Sequence, residues 1–134
     1  MELFPEGLTQ KEFAALSKCA KDVACDPLTN LVRQSKDHLE KALIARKKNV
    51  FVNYRLAEAI YNNFCTIIKE WDSIPNHARP WCRGMMKYFT LSSDLESDFT
   101  SPIGFDDDVE IMNACLRLAG REDLCLNPED FDDV

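Results

Sequence analysis

Apolar residues recur at intervals of three and four along most of the chain, a spacing that is typical of amphipathic α-helices. The first such stripe lies within residues 9–25, where Thr9 and Glu12 have the spacing of a capping box at a helix start. A second amphipathic stripe follows Pro27 and ends near Lys48. The chain is therefore predicted to begin with two helices.

The clearest helical pattern covers residues 53–71, where seven apolar positions keep the helical period through five turns. A fourth helix is predicted to begin around Pro80, because proline is tolerated in a first helical turn. A fifth helix has Asp106, Asp107 and Asp108 in its first turn and apolar positions from Val109 to Ala119, and it is closed by Gly120. The expected fold is all-α, a compact single-domain bundle of about five helices in which the third and fourth pack against the fifth. The positions of the fourth helix expected to face inward are Trp81, Met85, Tyr88 and Phe89.

Length and composition fit this expectation and exclude some classes of protein. The 134 residues are 46% hydrophobic and 29% charged, which is the balance of an ordinary globular domain. No apolar run approaches the roughly 18 residues of a transmembrane helix, and the first residues lack a secretory leader. The six cysteines are dispersed along the chain, which favours free thiols in a reducing cytoplasm over a disulfide scaffold. No C-x-x-C motif occurs, so a structural zinc site is not expected.

The net charge of −7 is distributed unevenly along the chain. Residues 1–90 contain fourteen Lys or Arg against ten Asp or Glu, a balance of +4. Residues 91–134 contain two Lys or Arg against thirteen Asp or Glu, a balance of −11. Because nucleic acids are polyanions, the acidic third is not expected to bind them directly; it favours a protein partner with a basic surface.

The last residues, 121–134, are interpreted as an acidic tail beyond a helical domain of residues 1–120. Apolar side chains stand among carboxylates there, so the tail is expected to be loosely docked, or ordered by a partner that its apolar groups anchor. A solubilising chain end is the alternative interpretation. The partner-binding residues predicted from this pattern are Leu124, Leu126, Asp130, Phe131, Asp132 and Asp133.

Five aspartates lie within the fifteen residues 94–108. Carboxylate oxygens are the ligands that Mg²⁺ and Ca²⁺ prefer, so a divalent cation site is one hypothesis, although the glycine and glutamate positions of an EF-hand hold phenylalanine at 99 and 105. The favoured interpretation is structural, because carboxylates in the first turn of a helix complement its dipole. No other cofactor is expected. The cation hypothesis assigns the ligands to Asp94, Asp98, Asp107 and Asp108.

The order of these acids resembles the signature of the YkvA-like family of small bacterial domains over residues 80–119. The matching positions are Asp94, Asp98, Gly104, Asp107 and Asp108. The chain departs from the family pattern at Ser97 and Ser101, where the family has proline. The resemblance implies an all-helical bacterial module and supplies no catalytic residue.

No catalytic constellation is evident in the sequence. His77 lies five residues before Cys82, but no third group is placed to orient them, so a buried cysteine and an exposed loop histidine are expected. His38, flanked by Asp37 and Glu40 on an amphipathic helix, is predicted to lie on the surface.

The resulting hypothesis is a non-enzymatic protein-interaction module, an accessory or regulatory subunit of a bacterial complex. One alternative is an acidic inhibitor or immunity-type protein that blocks a nucleic-acid-binding or toxic partner by presenting carboxylates in place of phosphates. The other is a divalent-cation-binding protein that uses the aspartate cluster.

Overall fold

Five α-helices form the described part of the chain, which comprises residues 3–50, 52–91 and 105–131 of a computed structural model. No strand occurs within these ranges, and the all-α prediction is confirmed. No described helix is both long enough and apolar enough to cross a membrane. The helices are α1 (Gln10–Asp22), α2 (Leu28–Lys48), α3 (Tyr54–Lys69), α4 (Arg79–Phe89) and α5 (Asp106–Leu118), with short 3₁₀ turns at Trp71–Ser73, Glu122–Leu124 and Pro128–Phe131.

The first helix begins at the capping box that its sequence predicts. The backbone amide of Glu12 donates to the Thr9 hydroxyl at 3.1 Å, and the Thr9 amide donates to the Glu12 carboxylate at 2.9 Å. Asn53 caps α3 in the same manner by accepting from the Leu56 amide at 3.1 Å. These side chains satisfy backbone donors that have no partner inside the helix, which is why the helices begin there.

The core is built around α4, which contacts α1, α2 and α5. Phe89 lies at its centre, with ring centroids 5.4 Å from Phe64 of α3 and 5.9 Å from Phe105 at the start of α5. The predicted packing of the third and fourth helices against the fifth is confirmed. Three of the four predicted inward side chains of α4 are buried, whereas Trp81 is only half-buried.

The most extensive helix pairing, between α1 and α4, depends on a close backbone approach. A Cβ placed on Gly84 would lie 3.0 Å from the Cβ of Ala20 and 3.1 Å from its Cα and backbone nitrogen. Glycine is thus the residue that lets the two helices come this near, since any side chain there would meet backbone of the neighbouring helix.

The prediction that His38 lies on the surface is wrong. Only 3% of the residue is exposed, and its ring packs edge-on against Phe89 at 5.1 Å and Phe105 at 6.3 Å between centroids. Its sequence neighbours Asp37 and Glu40 do point to solvent. His38 differs from them because it lies on the side of α2 that packs against α4.

Candidate functional site

The acidic tail is more closely packed than the sequence predicts. Asn63, on α3, donates its side-chain amide to the Leu124 carbonyl at 2.7 Å. Asn113, on α5, donates to the Leu126 carbonyl at 2.8 Å and accepts from the Leu126 amide at 2.9 Å. The expectation of a loosely docked tail is therefore wrong for residues 121–131, because the buried Asn63 and the half-buried Asn113 bind the backbone of the tail.

This packing also engages the apolar groups that were predicted to anchor a partner. Leu124, Leu126 and Phe131 are half-buried against the core of the same chain. Asp130 is exposed, whereas Asp132 and Asp133 lie outside the described residues. The described part of the tail thus offers exposed carboxylates to a partner, but its apolar side chains already pack on this molecule.

Arg121 holds the beginning of the tail in place. Its guanidinium donates to the carboxylate of Glu70 at the end of α3 and to that of Asp123 at 3.1 Å. The hydrogen bond from Arg121 holds the pKa of the Asp123 carboxyl below its ordinary value. The tail therefore starts with a charged contact that depends on an ionised aspartate.

We expect Arg121→Gln to return the pKa of Asp123 toward that of a free aspartate. Because the pKa of Asp123 is lower in the folded chain, its contact with Arg121 stabilises the fold. This stabilisation is complete at pH values above the ordinary pKa of aspartate and is lost as the pH falls through the lowered pKa. An NMR titration of the Asp123 carboxyl carbon measures this pKa, and urea unfolding at several pH values measures the loss of stability, with Arg33→Gln on the exposed side of α2 as the control. An unchanged Asp123 pKa in Arg121→Gln would contradict the assignment.

The hypothetical cation ligands are only partly within the described chain. Asp94 and Asp98 lie outside it, as does Gly104. Asp107 and Asp108 lie in the first turn of α5, where carboxylates are predicted to complement the positive end of the helix dipole. Among the described residues, no group of three potential ligands of a metal ion occurs. A cation at all four aspartates stays a prediction.

An apolar groove lies between the N-terminal segment, α1 and the beginning of α4. Its volume is about 710 Å³, within the range of small-ligand and peptide sites. Three aromatic rings form a row along it, with Phe13 centred 5.8 Å from Phe4 and 5.5 Å from Trp81. Phe4 is 50% exposed and Leu3 46%. The groove therefore presents large apolar surface to solvent.

The wall formed by residues 3–8, here called the strap, is held by specific contacts. Pro5 is buried, and Gly7 adopts a φ of +86° that a side chain would strain. Arg117 of α5 donates to the Glu6 carbonyl at 3.5 Å. The strap thus fixes Phe4 against α1 and forms part of the groove.

Among the described residues, the ionisable groups in the groove lining are Lys21 and His77, and none of these lining residues is a carboxylate. The Nε2 atom of His77 lies 3.3 Å from the Leu118 carbonyl, so its ring is positioned by the end of α5. Cys82 is fully buried, and burial raises the pKa of its thiol to about 12. The Cys82 thiol is thus protonated at neutral pH.

The sequence interpretation missed this groove. Phe13 belongs to the apolar stripe that predicts α1, and the period of α4 places Trp81 on its inward side, so the sequence does not distinguish either from a core residue. The sequence feature that indicates the groove is the pair Leu3 and Phe4. These two large apolar residues precede the first helix and belong to no helical periodicity.

Comparison of the chain with protein-family models, with curated proteins and with solved structures finds no match in any of the three. The resemblance of residues 80–119 to the YkvA-like family therefore stays a prediction. The geometry of the described residues is the basis for a function.

Proposed function

We propose that this protein is a non-enzymatic protein-interaction module, an accessory subunit that binds an amphipathic helix of a partner in the groove between the strap, α1 and α4. The observation that carries the proposal is the half-exposed aromatic row of Phe4, Phe13 and Trp81. Aromatic anchors in a concave surface are the usual centre of protein-binding sites, because they bury much apolar area at little entropic cost.

The charges of the groove define the partner further. Lys21 is the one lysine or arginine among the described lining residues, which include no carboxylate, so a carboxylate next to the apolar stripe of the partner would gain an opposite charge. The groove walls are helices and a strap, and an amphipathic helix in a groove is an established mode of peptide recognition. The proposed occupant is thus a helix with an apolar stripe and acidic flanks.

The test begins with a display library of 18-residue peptides that share a fixed helical apolar stripe and vary at the flanking positions. Selection on the full chain is expected to enrich peptides with Glu or Asp at the flanks. Enriched peptides are then titrated into a Trp71→Phe variant, in which Trp81 is the only tryptophan and its fluorescence reports on the groove. Binding should change the Trp81 emission in a saturable way.

Lys21→Glu is expected to weaken this binding about tenfold, since it turns an attraction into a repulsion. Lys36→Glu, an equal charge change at an exposed site on α2, is the matched control and should leave the affinity unchanged. Equal affinities for the two variants, or no enrichment of acidic flanks, would contradict the groove proposal. Enrichment of basic peptides that Glu129→Lys abolishes would instead support the acidic-inhibitor alternative, which uses the exposed carboxylates of the tail.

A further inference from the structure

A second concave feature lies on a different part of the molecule, between the middle of α2 and the end of α4. It is a crevice of about 220 Å³, and polar side chains form its lining. Because α4 begins beside the groove and ends beside the crevice, one helix contributes to both, but no lining residue is shared. The lining consists of Gln34, Asp37, His38, Lys41, Lys87 and Thr90.

Two lysines from different helices line this crevice. Lys41 comes from α2 and Lys87 from the last turn of α4, and neither forms an ion pair with a residue in the described ranges. Asp37 supplies the one carboxylate of the lining, one helical turn before Lys41. Like charges that share a small volume repel each other, and a bound anion relieves that repulsion.

Two parts of the crevice wall are fixed by contacts within the chain. The buried ring of His38 packs against Phe89 and Phe105. The Thr90 hydroxyl donates to the Lys87 carbonyl at 2.6 Å, which holds the end of α4. A preorganised site binds with a smaller entropic cost than one that must form around its ligand.

We propose that the crevice binds a phosphate-sized oxyanion. Lys41 and Lys87 supply the charge, and the side-chain amide of Gln34 is available as a neutral hydrogen-bond donor. The volume admits one phosphate group but is smaller than the sites that enclose drug-sized molecules. Free phosphate and a phosphorylated side chain of a partner share this chemistry. The proposal stands independently of the groove.

The experiment compares thermal unfolding of the full chain in sodium phosphate and in sodium chloride of equal ionic strength. Phosphate at about ten times its dissociation constant is expected to raise the melting temperature by roughly 3–6 °C more than chloride. NMR shifts of the Gln34 side-chain amide and the Thr90 backbone amide should follow the same titration. O-phosphoserine is titrated as the second ligand. If it binds more tightly than free phosphate, the phosphate group that the crevice recognises belongs to a phosphorylated side chain.

The variants decide whether the crevice is responsible. Lys41→Gln and Lys87→Gln should each weaken phosphate binding about tenfold, whereas Lys47→Gln, on an exposed turn of the same α2 helix, should not. Both crevice substitutions retain a long polar side chain, and the melting temperature in chloride checks that the fold is kept. Equal effects of phosphate and chloride, or an equal loss in Lys47→Gln, would overturn the proposal.

Discussion

Gly84→Val is expected to lower the free energy of unfolding by about 3 kcal/mol, because overfilling a packed interface forces its elements apart. The new Cβ would meet the Cα and backbone nitrogen of Ala20 at 3.1 Å, and backbone atoms cannot rotate away as the end of a side chain can. The two helices would have to separate along their most extensive contact. Gly84→Ala should show a smaller loss, since alanine itself favours the helix by about 1 kcal/mol over glycine.

Urea unfolding followed by circular dichroism measures this loss. The matched control is Ala14→Val on the exposed side of α1, which adds a β-branched side chain to a helix without a neighbour. Its cost should stay near the roughly 0.5 kcal/mol expected from helix propensity. Equal losses for the two valine variants would show that the contact between Gly84 and Ala20 is not what stabilises the α1–α4 pairing.

Asn113→Ala is expected to release the tail and to destabilise the chain by about 2 kcal/mol, because it removes both hydrogen bonds to Leu126 and leaves the backbone of that residue without these partners. The effect should be local. Hydrogen exchange of the amides of residues 124–131 should accelerate, while exchange within α4 should change much less.

The control for this variant is Asn62→Ala, an exposed asparagine on α3. It should leave the exchange of the tail and the stability unchanged within about 0.5 kcal/mol. If Asn113→Ala exchanges like the wild type over residues 124–131, the side-chain hydrogen bonds to Leu126 are not what holds the tail in place.

Local signals explain why the helices were predictable from the sequence. The capping box at Thr9, the proline in the first turn of α4 and the apolar period of α3 all act within a few residues along the chain. Each of these helices begins within one or two residues of its predicted start. The core residues of α4 followed from the same periodicity, with Trp81 as the exception.

The features that the sequence did not predict depend on residues that are far apart in the chain. His38 lies between the exposed residues Asp37 and Glu40 in the sequence, and the approach of α4 and Phe105 buries it. The tail was expected to be loose because its composition is acidic, but Asn63 and Asn113 bind its backbone carbonyls, an interaction that is independent of charge. Polar side chains on helices give no signal in the sequence that distinguishes a solvent contact from a tertiary one.

The groove and the crevice were unpredictable for a related reason. Each is a space between elements, so it depends on how far apart helices lie rather than on which residues form them. The aromatic row joins Phe4, Phe13 and Trp81 over a sequence separation that no local pattern spans. Lys41 and Lys87 likewise line one crevice only because α2 packs on α4.

The strap has a practical consequence for how the chain is handled. Leu3 and Phe4 line the groove, so a polypeptide fused ahead of them would be joined close to the proposed binding site. An affinity tag in that position would compete with a bound helix or screen Lys21, and an apolar linker would imitate a ligand. The end of the described tail instead packs on α3. Fusions intended for binding measurements therefore belong at the carboxyl end of the chain.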